Sequence, residues 1–217
     1  MALYTLVIGS KNYSSWSMRA WIGLRHAGIE FDEIVIPLDA NDTRERILAH
    51  SPTGLVPLLK DGGVTVWESL AILEYVAEKH PEKHLWPEDD VARAHARSIS
   101  QEMHAGFGAL RQACPMNCRR RYESFDLSRE VEADVARIQA IWSECRASSA
   151  EGGDFLFGHF TIADAMFAPV ASRFMTYGIT LDAASRAYVD ALVAHPPMHE
   201  WCEAAALEPV IEMYEFD

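Results

Sequence analysis

The run Leu3-Tyr4-Thr5-Leu6-Val7-Ile8 is short, apolar and rich in β-formers, and it stops at Gly9-Ser10 as a buried strand should. Directly behind it stand Asn12-Tyr13-Ser14-Ser15-Trp16-Ser17-Met18-Arg19. Met18, Trp21, Ile22 and Leu24 through Ala27 then keep a helical spacing until Gly28, placed as a C′ glycine. The serines therefore fall on a βα turn at a helix N-terminus, where an anion or a thiolate is stabilised. A serine at a helix start is also the ordinary N-cap, and for this turn alone the cap is the simpler reading.

A second strand is expected over Phe31 to Ile36, and further on the chain reads Ser51-Pro52-Thr53-Gly54-Leu55-Val56-Pro57-Leu58-Leu59. Asp61-Gly62-Gly63 is a turn, Val64-Thr65-Val66 a returning strand, and Glu68-Ser69 opens another helix. The pattern is βαβ followed by a ββ hairpin and a helix. A proline just before a strand cannot donate to the ladder. If its bond is cis it turns the N–H and C=O of Val56 outward, toward an extended peptide-like ligand.

Four motifs in order carry a resemblance: Ser14 five residues before Arg19, Val56-Pro57 before a strand, Glu68-Ser69 before a helix, and Thr161-Ile162-Ala163-Asp164. Together they resemble the soluble glutathione transferases over the whole chain. The resemblance implies an α/β + all-α fold: a thioredoxin-like βαβαββα domain over residues 1–80, a linker over 81–90 and an all-helical domain over 91–217. The serine-to-arginine spacing is similar to the serine-type classes, zeta and tau and their bacterial relatives. Where zeta-like enzymes carry Ser-Ser-Cys this chain has Ser-Ser-Trp, a departure from the motif that would carry their isomerase activity.

The resemblance further implies glutathione as cosubstrate, no metal, a small hydrophobic electrophile as second substrate, and a homodimer. Ser14 would donate to the glutathione sulfur, with Tyr13 or Ser15 as alternative donors and the amides around Ser15 and Trp16 as support. Val56 and Pro57 would hold the cysteinyl unit, Ser69 the γ-glutamyl carboxylate and Glu68 its ammonium group. The electrophile would lie along Tyr13, Trp16, Met103 and Phe107, and His104 and Arg111 are further contacts or else an interdomain ion link. A free thiol of pKa near 8.5 is only a few per cent ionised at neutral pH. A hydroxyl donor worth about 1.5–3 kcal/mol and a helix N-terminus worth about 0.3–1 kcal/mol together suffice to bring the thiolate within reach. The rival expectation is a noncatalytic relative that binds ligands or a protein, with glutathione-dependent isomerisation as a further alternative.

A net charge of −13 over 217 residues opposes binding to nucleic acid and to anionic membranes. Arg119-Arg120-Arg121 is the one basic run, of the size of a solvated helix end or loop. No segment approaches the roughly twenty apolar residues of a membrane span, and the first apolar run is a better strand than a signal peptide. These features predict a cytoplasmic protein. Its four cysteines, Cys114, Cys118, Cys145 and Cys202, lack a metal-ligand spacing and are expected as reduced thiols, mostly in the core. None falls on the first βα turn, which argues against thiol–disulfide chemistry there.

From Val91 onward the periodicity is helical. Ile99, Met103, Phe107 and Leu110 trace one stripe and Val131, Val135, Ile138 and Trp142 another, both expected as core. Thr161 and Asp164 are spaced as a capping box. His195 and His199 have a zinc-like spacing, but Pro196-Pro197 between them is expected to spoil the helix, and no third ligand is evident.

Overall fold

The computed structural model describes residues 3–149 and 152–215. The first half is a four-stranded sheet with helices on both faces. Strand β1 (Tyr4–Gly9) is followed by α1 (Ser15–His26), β2 (Phe31–Ile36), α2 (Thr43–Leu48), β3 (Leu58–Asp61), β4 (Val64–Trp67) and α3 (Ser69–Lys79). Strand order is β2-β1-β3-β4, with β1 parallel to β2 and antiparallel to β3, and β3 antiparallel to β4. The side-chain period of two explains why β1 reads as unbroken hydrophobicity. Tyr4, Leu6 and Ile8 enter the main core beneath α1 and α3, while Val7 faces the other way into a small cluster with Ile36, Ile47 of α2 and Leu58.

The second half is helical: α4 (Asp90–Ala105), α5 (Gly108–Ala113), α6 (Arg129–Ser148), α7 (Ile162–Thr176), α8 (Ala183–Ala194) and α9 (Pro196–Ala206). Helix α7 is almost wholly buried, and α1 packs on it, so the two halves share one continuous core. The segment between α3 and α4 is polar in composition yet anchored. Its Leu85 and Trp86 are buried, and the Leu85 carbonyl accepts from Ile162 N at 2.9 Å. Among the described residues no helix is long and apolar enough to cross a membrane.

Two expectations are corrected. The stripe Ile99-Met103-Phe107-Leu110 is not one helical face, because α4 ends at Ala105 and Phe107 stands between α4 and α5 with φ +57°. Pro196-Pro197 do not break a helix; they begin α9, at the first-turn positions where a proline loses no hydrogen bond.

His195, between α8 and α9, meets His26 at the end of α1, with ring nitrogens 3.1 Å apart and the Phe160 ring against both. Burial, with His195 and His159 adding repulsion, lowers His26 from 6.5 to about 4, and burial lowers His195 as well. A depressed histidine pKa means that the unfolded chain takes up the proton first. Stability from this pair is therefore complete above pH 6.5 and is lost as pH falls toward about 4. Denaturation midpoints measured across that window should fall with pH, and the slope should flatten in His26→Gln.

Candidate functional site

Ser14 is the N-cap of α1: its Oγ accepts from Ser17 N at 3.4 Å and its hydroxyl donates to Ser17 Oγ at 2.7 Å. Ser17 is fully buried and its Oγ also accepts from Gly9 N at 3.1 Å, which ties the helix start to the end of β1. Hydroxyl hydrogens rotate. If the Ser14 hydrogen swings to an outside acceptor, Ser17 can donate back to Ser14 Oγ and keep the pair bonded.

Ser15 Oγ accepts from Arg173 Nη2 of α7 at 3.2 Å. Arg173 is itself buried, with Nε on the Cys114 carbonyl at 2.8 Å, and burial lowers it to about 10. Arg19, fully buried one turn into α1, donates from Nε to the Met166 carbonyl at 3.0 Å. Its Nη1 and Nη2 find no hydrogen-bond partner among the described residues. Burial and the nearby Arg173 and Arg111 hold Arg19 well below the usual guanidinium range. The guanidinium of Arg19 lies 4.3 Å and that of Arg111 5.4 Å from the Trp16 ring centroid. An acidic chain thus carries a small cationic island behind its first βα turn, with Arg19 and Arg173 buried and Arg111 partly exposed.

The Val56–Pro57 bond is cis. Downstream, Glu68 precedes α3 with φ +69°, a conformation that costs a non-glycine residue about 1–3 kcal/mol and is found at ligand clamps. Next to it Ser69 opens the helix fully buried, its Oγ without a partner among the described residues. A buried hydroxyl at a helix N-terminus with nothing to bond is a place for an anion to land.

Trp16, Thr53, Leu55, Val56, Pro57, Trp67, Glu68 and His104 enclose a cavity of about 310 Å³. Of the expected residues, Trp16, Val56, Pro57 and Glu68 are in its wall, with Ser15 and Ser69 adjacent to them in the chain. His104 joins from α4: its ring meets Trp16 edge-on at 5.2 Å and its Nε2 lies 3.7 Å from Glu68 Oε2. Burial keeps His104 below its ordinary pKa despite Glu68. Trp67, Thr53 and Leu55 were not foreseen, although an aromatic directly before Glu68-Ser69 is a signal that could have marked Trp67.

Three expected substrate contacts are elsewhere. Met103 is fully buried in the core. Phe107 is buried at the turn between α4 and α5. Tyr13 is bound up with the tail beyond α9: its hydroxyl donates to Glu215 Oε1 at 2.7 Å and accepts from Arg119 Nη2 and Ile211 N, each at 3.0 Å. The same tail supplies Glu208, whose carboxylate accepts from Lys11 N at 2.7 Å and Asn12 N at 2.9 Å. Tyr13 is therefore fastened to the tail, not to the cavity.

Family models described as "Glutathione S-transferase, N-terminal domain" and "Glutathione S-transferase, C-terminal domain" match residues 13–79 and 128–204. The chain belongs to the glutathione S-transferase family. Within it, a Caenorhabditis elegans protein named probable maleylacetoacetate isomerase is 34% identical over 97 residues, 45% of each chain. That match spans less than half of the relative's length. A maleylacetoacetate isomerase of Pseudomonas aeruginosa is 27% identical over 211 residues, 92% of this chain and 94% of that one. The crystal structure of a Burkholderia glutathione transferase homologue with bound glutathione shares the fold, with a TM-score of 0.71, 24% identity, and coverage of 94% of this chain and 98% of that one.

Proposed function

We propose that this glutathione S-transferase binds glutathione in the 310 Å³ cavity and conjugates it to a small hydrophobic electrophile. The observation that carries the proposal is Ser69: a fully buried, unpartnered hydroxyl at the start of α3, next to a strained Glu68 that faces the cavity. Ser69 receives the γ-glutamyl carboxylate and Glu68 pairs with the ammonium group. The main chain of Val56, which lines the cavity beside Pro57, bonds the cysteinyl unit. Ser14, relayed by Ser17, donates to the sulfur, and the first-turn amides of α1, which have no intrahelical acceptor, add to the field that favours a thiolate. Ser15 ties this turn to Arg173, and Trp16 with Trp67 forms the apolar wall. A homodimer belongs to the same proposal.

Calorimetric titration with glutathione, combined with the ultraviolet absorbance of the bound thiolate, tests the reading. Binding with thiolate absorbance at neutral pH is expected, and Ser69→Ala should weaken affinity about 10-fold, the equivalent of one hydrogen bond to a charged group. Absence of binding would instead support a noncatalytic module.

The cationic island favours a second reading of the same site. Arg111, partly exposed beside Trp16, suits an anionic second substrate, with Arg19 and Arg173 buried behind it adding positive charge, and relatives named maleylacetoacetate isomerase make isomerisation the second reading. Assaying an aryl halide against an unsaturated dicarboxylate separates the two.

A further inference from the structure

The residues just before Ser14 are buried but lie in neither a strand nor a helix, so their main-chain groups must find partners elsewhere. For Lys11 and Asn12 those partners come from the helical half and the tail behind it. Glu208 takes both amides, one on each carboxylate oxygen. Trp201 Nε1 of α9 donates to the Lys11 carbonyl at 2.9 Å, and Cys118 N donates to the Asn12 carbonyl at 3.3 Å. The Asn12 side chain donates in turn to Asn117 Oδ1 at 3.0 Å.

Tyr13 is saturated in the same way. A phenol has one hydrogen to give and two lone pairs to fill. The hydrogen goes to Glu215 Oε1, and the lone pairs receive Arg119 Nη2 and Ile211 N. Glu215 is itself gripped by Asn117 Nδ2 at 2.9 Å and Arg120 Nε at 2.6 Å. Within the turn, Tyr13 N and Ser14 N both donate to the Ser10 carbonyl, at 3.2 and 2.8 Å. Those two bonds pivot the turn on Ser10 and leave its direction to the outside partners.

We propose that Glu208 and Glu215 are positioning residues for thiolate formation: from the tail they set where the Ser14 hydroxyl stands, and so how far bound glutathione ionises.

The inference rests on the glutathione reading of the cavity, and neither glutamate is in that cavity's wall. Their parts differ. Glu208 bridges two neighbouring amides and so fixes the main chain that leads into Ser14. Glu215 fixes the Tyr13 side chain and, by taking its hydrogen, keeps the tyrosine from competing with Ser14 as a donor. Hydrogen bonds weaken steeply when misaligned, so a turn that swings on Ser10 loses strength at the sulfur before it loses the fold. Glu68 and Ser69 at the start of α3, and Val56 before β3, make none of these bonds. Grip on the tripeptide backbone is therefore separable from ionisation of its thiol.

The test compares Glu208→Ala and Glu215→Ala with the parent, each as the full chain. Calorimetry with S-methylglutathione, which has no ionisable thiol, reads the grip; thiolate absorbance of bound glutathione across pH reads the ionisation. In both variants the affinity for S-methylglutathione should stay within about twofold, while the absorbance midpoint rises by about 0.5–1 pH unit, a 3- to 10-fold loss of thiolate below the midpoint. With an aryl halide, kcat should fall while KM for glutathione changes little. An unchanged midpoint in either folded variant overturns the proposal. So does an affinity for S-methylglutathione that falls as far as the ionisation does, since the glutamates would then be merely structural. A midpoint that drops in Glu215→Ala overturns it too, because the freed Tyr13 hydroxyl would have reached the sulfur. Should the parent bind neither ligand, the glutathione reading fails and takes this inference with it. Glu215→Ala leaves both buried amides covered, so it decides the matter even if Glu208→Ala folds poorly.

Discussion

Asp164→Ala is expected to remove about 3–5 kcal/mol of stability, the range for taking away one partner of a buried charged network. Asp164 is fully buried at the start of α7. Its Oδ2 accepts from Thr161 N at 2.7 Å and Thr161 Oγ1 at 2.9 Å; its Oδ1 accepts from Leu156 N at 3.1 Å and the Tyr188 hydroxyl at 3.0 Å. Alanine would strand donors from three segments in a dry interior, each at about 1–3 kcal/mol before relaxation. Since a domain has only about 5–15 kcal/mol in total, much of the fold's margin would go. Asp164→Asn should do nearly as badly, because its NH₂ group would face donors where an acceptor is needed. Urea denaturation measures the loss, with exposed Asp190→Ala as a comparison expected within about 0.5 kcal/mol of the parent. A loss below about 1 kcal/mol for Asp164→Ala would refute this account of α7.

Ser14→Gly is expected to lower kcat/KM by roughly 10- to 100-fold, corresponding to the loss of about 1.5–3 kcal/mol of hydrogen bonding to the thiolate. Glycine is the informative replacement because it serves as an N-cap within a few tenths of a kcal/mol, so α1 stays intact while the hydroxyl is gone. The pH at which bound glutathione shows thiolate absorbance should move upward by about 1–2 units. Ser17→Ala should produce a smaller upward shift, since it keeps the Ser14 hydroxyl and removes its relay together with the bond from Gly9 N. Full activity and unchanged thiolate absorbance in Ser14→Gly would transfer the donor role to Ser15, which has Arg173 behind it.

The features legible in the sequence are those set by neighbours in the chain. The strand before Gly9, the serine turn, the proline before β3 and the Thr161–Asp164 capping box depend on residues within a few positions of each other, and each stands in the structure. The residues misplaced or missed depend on distant partners. Helical spacing marked Met103 as apolar but cannot distinguish a core face from a cavity face. Phe107 adopts φ +57°, which a bulky residue rarely does and no local pattern announces. Arg19 and Arg173 meet only because α1 packs on α7, and the claim on Tyr13 comes from Glu215.

The way Glu208 and Glu215 hold the first βα turn bears on how this protein can be rebuilt. The amides of Lys11 and Asn12 find their acceptor 197 and 196 positions away, and Tyr13 its own at 202. A hybrid that joined this thioredoxin-like half to the helical half of a relative would inherit the serine turn without its fastening, unless carboxylates stood at the same two places. The first βα turn is thus held jointly by residues near both ends of the described chain, and it cannot be transplanted as a cassette.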